Sequence, residues 1–175
     1  MKESILLRKT CTIYASDTHF ATLIFPFIKK EVENKTEIIT ILEKNETDKI
    51  ERILKNIGLN PKIKKKIRNI DWKKTNIKKI KKNFENMQSY IKKRKNINII
   101  VLGERVFIKK TNEIIDLWFK NNIEKIEKSK IQINIINCFS FYESIEIQRV
   151  IKSHNYILKT TGLEKIENKI MMKAN

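Results

Sequence analysis

Short β-type runs alternate with longer stretches of helical periodicity from one end of this 175-residue chain to the other. Strands separated by about ten or more helical residues cannot be joined by tight hairpins, so their connections are crossovers and their pairing is parallel. The alternation therefore predicts an α/β fold in three layers: a mostly parallel sheet with helices on both faces.

The first strand reads as residues 11–14, followed by a helix that starts near Ser16 or Asp17. Phe20, Leu23, Ile24, Phe27 and Ile28 recur there at three- and four-residue spacing, the stripe of a core-facing helix, with Pro26 expected to kink it or shift its start. Residues 37–42 form a second strand. Asn45 then caps a helix bearing Ile50, Ile53, Leu54 and Ile57, which Gly58 stops. Residues 67–71 read as a weak third strand, and Thr75 or Asn76 caps the helix after it. That helix carries Ile77, Ile80, Phe84, Met87 and Ile91, a seam two heptads long and better suited to a sheet than to a coiled coil.

Residues 96–102 are the clearest strand, ending at Gly103-Glu104, and Ile115, Trp118, Phe119, Ile123 and Ile126 mark the next helix. A strand over 131–139 follows, then a short helix with Ile147, Val150 and Ile151, and an edge strand over 155–159. Residues 1–163 are expected to form one domain and 164–175 a charged tail.

Lys and Arg number 38 against 20 Asp and Glu, a formal charge of +18 that raises nucleic acid or an anionic surface as partners. Lys, Ile and Asn together fill 84 of the 175 positions, the skew an AT-rich genome imposes, so part of that basicity is compositional drift. Cys11 and Cys138 match no zinc spacing, which suits a reducing, cytoplasmic compartment. The apolar run at Ile5-Leu6-Leu7 is too short for a secretory signal, and residues 20–28 fall well below the ~20 needed to span a bilayer.

Ligands of doubly wound sheets sit at the carboxyl ends of the strands. The residues after the first strand, Tyr14 to His19, include no glycine, and glycines at 58, 103 and 162 alone cannot build GxxxxGK[ST] or GxGxxG. A phosphate cradle is excluded on those grounds. Asp17 and His19 read as a general-base pair or, more simply, as a helix cap with a solvated neighbour. Glu104 reads as a crevice carboxylate or as a partner of Arg105. Cys138, with Phe141, Tyr142 and Glu143, reads as an apolar pocket wall or a plain core thiol, and His154 as a site residue or a structural histidine at a helix C-terminus. Residues 62–95 hold 15 Lys or Arg against Asp71 and Glu85. Lys78, Lys79, Lys81 and Lys82 there are phosphate contacts or a solvated face.

Several of these segments, taken in order, resemble the MEDS domain, the sensory domain of methanogen and methylotroph regulators and of a dichloromethane dehalogenase repressor. Thr12-Ile13-Tyr14-Ala15-Ser16-Asp17 is similar to its opening strand, and Phe25-Pro26-Phe27-Ile28-Lys29-Lys30-Glu31-Val32 to its "pFl..gl" helix. Gly103-Glu104, the helix over 113–124, Cys138-Phe139-Ser140-Phe141-Tyr142 and His154-Asn155 match later motifs. The chain departs from the pattern in lacking a histidine over 9–12 and in carrying Asn155 where the family has proline. The resemblance implies a sensory, ligand-responsive role on a RecA/KaiC-like core without a P-loop.

The expectation is thus a stand-alone, non-catalytic sensory module for a small organic ligand or a regulatory protein partner. Its candidate ligand-binding residues are Tyr14, Asp17, Glu104, Trp118, Cys138, Tyr142 and His154. A homo-oligomer is compatible with this reading, and no cofactor, metal or membrane is expected. The alternative, from a different class, is a nucleic-acid binder using Lys78, Lys79, Lys81 and Lys82. A nucleotide hydrolase would need phosphate contacts from lysines alone.

Overall fold

The computed structural model describes residues 6–43, 46–56, 58, 60–68, 80, 84, 87, 91–93, 95–141 and 147–166. In chain order the elements are β1 (Leu7–Tyr14), α1 (Asp17–Glu33), β2 (Glu37–Leu42), α2 (Thr47–Asn56), α3 (Pro61–Arg68), β3 (Ile97–Leu102), α4 (Arg105–Ser129), β4 (Ile133–Ser140), α5 (Ile147–Lys152), β5 (Tyr156–Lys159) and β6 (Gly162–Lys165). They build one six-stranded sheet in the order β2-β3-β4-β1-β5-β6. Every neighbouring pair is parallel except β5–β6. The predicted α/β architecture, a mostly parallel sheet between two helical layers, is the one observed.

Successive side chains of a strand point to opposite faces, so the period of two divides the core into two halves. Ile97, Ile99, Val101, Ile133, Ile135 and Phe139 face α4 and α5, together with Ile80, Phe84, Met87 and Ile91. Ile100, Leu102, Ile136, Cys138 and Tyr14 face α1, α2 and α3, which contribute Phe20, Ile24, Ile28, Ile50, Leu54 and Ile67. β3 is buried along its whole length, as a central parallel strand must be when helices cover both faces. Each fully buried isoleucine contributes about 1.5–3 kcal/mol.

On the α1 side the strands' amino-terminal halves carry polar groups, and these are satisfied in a chain. Thr10 donates to Asn134 (2.7 Å), Asn134 to Asn98 (3.0 Å) and Asn98 to the Glu31 carboxylate (2.9 Å). Asn98 and Asn134 are register partners on β3 and β4. A one-residue slip would separate those amides and leave buried polar groups unpaired, so the chain fixes register as the apolar pattern does.

The structure corrects several boundaries. β1 begins at Leu7 rather than at residue 11, because Arg8 and Lys9 are part of an eight-residue ladder with β4. Their charges are accommodated at its margins: Arg8 lies over the Tyr156 ring (5.3 Å to the centroid) and Lys9 pairs with Asp116 (2.7 Å). α1 starts at Asp17 and runs through Pro26 without a shifted start, burying Phe25 rather than Phe27. Ile67 and Arg68 end helix α3 instead of opening a strand. Pro61 stands at its first position, Asn60 accepts from the Lys62 N–H (2.9 Å), and Ile67 is buried against the α1 layer. Residues 69–71, like Asn45, Ile57, Thr75, Asn76 and Ile77, lie outside the described residues. α2 ends at Asn56, ahead of Gly58. β5 is not the sheet edge, because Gly162 (φ +120°) turns the chain into β6, whose last residue, Lys165, pairs with Tyr156.

Candidate functional site

The chain leaves β1 through α1 on one face, toward β2, and leaves β4 through α5 on the other, toward β5. The carboxyl ends of β1 and β4 are therefore the topological switch point. Tyr14, Asp17 and Cys138 meet there, around a residue the sequence did not single out. Lys49 of α2 donates to the Tyr14 hydroxyl (2.8 Å), lies 4.3 Å from the Tyr14 ring centroid, and is 3.3 Å from Glu46 and 3.8 Å from Asp17. Arg52 grips Asp17 with Nε (3.1 Å) and Nη2 (2.7 Å), a bond that raises the guanidinium pKa further. The Phe141 N–H donates to the Tyr14 carbonyl (2.7 Å), extending the β1–β4 pairing across the gap. The switch point is thus occupied by the protein's own side chains.

Burial pushes the Cys138 thiol well above its usual range, against the opposing pull of Lys49, and pushes Cys11 up to about 12. His19 serves the cap: its N–H donates to the N-cap hydroxyl of Ser16 (3.1 Å) and its Nδ1 accepts from the Ala15 N–H (3.1 Å).

Glu104 precedes α4 at the same end of the sheet. It is exposed and its side chain caps nothing, but its N–H donates to the Glu43 carboxylate (2.7 Å). That carboxylate fixes the glycine before it: a Cβ at Gly103 would stand 2.8 Å from Glu43 Oε2 and 2.7 Å from the Phe107 ring.

A cleft of about 380 Å³ opens on the opposite face, between α4 and α5. Its floor interrupts an apolar row. Along β4 the residues facing α4 are Ile133, Ile135, Asn137 and Phe139, and Asn137 is almost wholly buried. Asn137 Nδ2 donates to His154 Nε2 (2.9 Å) and to Asn112 Oδ1 (3.1 Å), while Asn112 Nδ2 donates back to Asn137 Oδ1 (2.8 Å) and to the Ile108 carbonyl (2.8 Å). His154 Nδ1 lies 2.6 Å from the Val150 carbonyl. A carbonyl oxygen only accepts, so Nδ1 carries the proton and Nε2 is the acceptor. The same logic at Ile108 orients Asn112 and, through it, Asn137. Carbonyls at both ends thus fix the chain of three side chains with His154 neutral. Burial lowers the His154 pKa, the Val150 bond opposes this, and the nearby Lys9 charge lowers it further.

Above this polar floor the walls are Ile108, Phe139 and Val150, and the rim carries Arg105, Lys109 and Arg149 with Glu113. Lys9 and Asp116 close one side as an ion pair. Among the described residues no three His, Cys, Asp or Glu side chains converge as a metal site would require.

The residues expected to form one site are therefore divided by the sheet. Tyr14, Asp17 and Cys138 share the switch point, and His154 lines the cleft on the other face. Trp118 stands on that second face but packs on Phe84 (ring centroids 5.7 Å apart) and does not line the cleft. Tyr142, Lys78, Lys79, Lys81 and Lys82 lie outside the described residues. The sequence reading missed Asn112, Asn137 and the rim cations. An asparagine within an otherwise apolar inward row of a central strand was the one available signal.

No protein-family model and no curated protein matches the chain. Among solved structures it is similar to one described as an ATPase domain, at 8% identity and a TM-score of 0.42, over 85% of this chain and 67% of that one. Among the described residues no helix is long and apolar enough to cross a membrane.

Proposed function

We propose that this protein is a non-catalytic sensory module that takes a small organic ligand in the α4–α5 cleft and signals its occupancy to a regulatory protein partner in the cytoplasm. The observation that carries this reading is the cleft itself. About 380 Å³ with apolar walls and a few fixed polar groups falls within the ~300–1,000 Å³ of small-molecule sites. Arg105, Lys109, Arg149 and Glu113 at its rim, beside the Lys9–Asp116 ion pair, set polar groups around those apolar walls.

Binding is favoured over chemistry because His154 has both ring nitrogens engaged within the protein. A general base must instead present a nitrogen to its substrate. The resemblance to the MEDS domain supports the sensory role. Two buried, unpaired cysteines, Cys11 and Cys138, support a reducing compartment.

A thermal-shift screen with citrate, benzoate, AMP, neutral sugars and a short oligonucleotide tests the reading. A small molecule from this set at about 100 times its dissociation constant adds about 2.7 kcal/mol, roughly 5–10 °C for a domain of this size. The shift should be lost in Arg149→Ala and kept in Lys49→Ala, which alters only the switch point. Stabilisation by the oligonucleotide alone would replace this function with the nucleic-acid one. A small-molecule shift lost with Lys49 rather than Arg149 would move the site.

A further inference from the structure

We infer that the α4–α5 cleft selects a small uncharged molecule with an apolar body whose inward end is a hydrogen-bond donor, a hydroxyl or a heterocyclic N–H, rather than an acceptor. The inference rests on the reading of the cleft as a ligand site and specifies what that site takes. It follows from the hydrogens of the neutral polar side chains that line the cleft, Asn112, Asn137, Ser153 and His154.

Of the two hydrogens on Asn112 Nδ2, the Ile108 carbonyl takes one (2.8 Å) and Asn137 Oδ1 the other (2.8 Å). Those on Asn137 Nδ2 go to Asn112 Oδ1 (3.1 Å) and His154 Nε2 (2.9 Å). The Nδ1–H of His154 is held by the Val150 carbonyl (2.6 Å), and the Ser153 hydroxyl donates to the same oxygen (2.8 Å). The backbone beside them is closed in the same way: the Ser153 N–H reaches the Arg149 carbonyl (3.1 Å) and the His154 N–H the Ile151 carbonyl (3.1 Å). Every one of these hydrogens is used inside the protein. Acceptor capacity is not, because an amide oxygen has two lone pairs and Asn112 Oδ1 and Asn137 Oδ1 each accept a single bond within the chain of side chains.

The floor cannot reverse its polarity to suit an acceptor. Asn112 is anchored by the Ile108 carbonyl, which only accepts, and turning either amide would set oxygen against oxygen or nitrogen against nitrogen. A ligand carbonyl or carboxylate brought to the floor therefore meets oxygen with no hydrogen between, and gives up its water without replacement. An ammonium brings hydrogens, but burying its charge requires a paired carboxylate. Glu113 is exposed at the rim and Asp116 is held by Lys9. The rim cations Arg105, Lys109 and Arg149 are exposed, whereas Asn137 is 2% exposed, so the donors they bring stand at the mouth and not at the floor. What the floor accepts is an uncharged O–H or N–H, on a body that fits against Ile108, Phe139 and Val150.

Two near-isosteric pairs test this: 1-phenylethanol against acetophenone, and indole against benzofuran. Within each pair the body is the same and a donor is exchanged for an acceptor. Titrations of the full chain followed in the ¹H–¹⁵N spectrum, side-chain amides of Asn112 and Asn137 included, give each dissociation constant and locate the molecule. 1-Phenylethanol and indole should move the floor amides and bind about tenfold tighter or more than their counterparts. Asn137→Val, which continues the apolar row of β4, frees the Asn112 hydrogen that Asn137 Oδ1 had taken. Acetophenone and benzofuran should then bind within about threefold of their donor counterparts. The wild-type ratios decide the matter even where that variant fails to melt cooperatively. Acetophenone and benzofuran moving the same amides as tightly as their counterparts would overturn the donor requirement while leaving the cleft a ligand site. A preference unchanged in a folded Asn137→Val would overturn it by removing the floor as its source. Floor amides unmoved by all four molecules would overturn this inference and the cleft reading together.

Discussion

At the scale of single residues, His154 joins the polar floor of the cleft to pH. Its ordinary pKa is about 6.5, and burial, the largest effect, lowers it in the folded chain. Between the lowered value and ~6.5 the unfolded chain therefore binds more protons than the folded one, so stability rises with pH in that window. Above ~6.5 the contribution is fully present, and it is lost as pH falls toward the folded value. Urea midpoints should accordingly be lower at pH 5.5 than at 7.5, and His154→Gln should flatten the difference; an unchanged slope in that variant would remove His154 as its source. The geometry explains the direction. Protonated Nε2 would face Asn137 Nδ2 at 2.9 Å, donor against donor. Turning Asn137 over would require turning Asn112, whose oxygen would then face the Ile108 carbonyl. The sequence could place His154 at a helix end but could not supply this chain, whose members, Asn112, Asn137 and His154, come from three different parts of the fold.

At the scale of elements, what was legible followed residue chemistry, and what was not traces to one missing residue type. β2 matched its expected bounds to the residue because Glu-Ile-Ile-Thr-Ile-Leu is β-branched and flanked by polar residues. Helix ends were harder to read because lysines stand where glycine usually serves. Lys35 (φ 57°), just past α1, and Lys130 (φ 53°), the C-cap of α4, both adopt left-handed backbone. With only three glycines in the chain, that stop signal was absent from the sequence. The weak strand expected over 67–71 fails at its first two residues, Ile67 and Arg68, which end α3: only the Asn60 cap and Pro61 before them mark a helix. The left-handed conformation costs a residue with a Cβ about 1–2 kcal/mol, while glycine adds unfolded-state entropy that offsets part of the gain. Lys130→Gly should thus stabilise the protein by about 0.5–1 kcal/mol, read as a higher urea midpoint at unchanged m-value. A lower midpoint would mean that the lysine side chain contributes more than its backbone costs.

At the scale of the whole molecule the dominant fact is charge. With 38 cations and 20 acids, at least 18 cations have no acid to pair with, however the surface is arranged. The ion pairs that do form are mostly at the surface, such as Lys159–Glu164 with both partners about half exposed, and such pairs contribute little. Salt acts on both populations in opposite directions. Screening weakens the pairs, whose charges lie within 4 Å, only modestly, but it suppresses repulsion among cations spread over the surface, because the Debye length falls from about 30 Å at 0.01 M to about 10 Å at 0.1 M. Repulsion is lost at distances where the pairs still hold. The melting temperature should therefore rise as sodium chloride is increased from about 10 to 300 mM, most steeply below about 100 mM, where the screening length falls through the spacing between surface lysines. A basic protein whose excess charge was already neutralised within the fold would show a flat or falling curve. A steep rise carries a consequence for the nucleic-acid alternative. Oligonucleotide retention at about 10 mM salt then reflects the same unscreened field, and only binding that persists above about 200 mM separates recognition from charge alone.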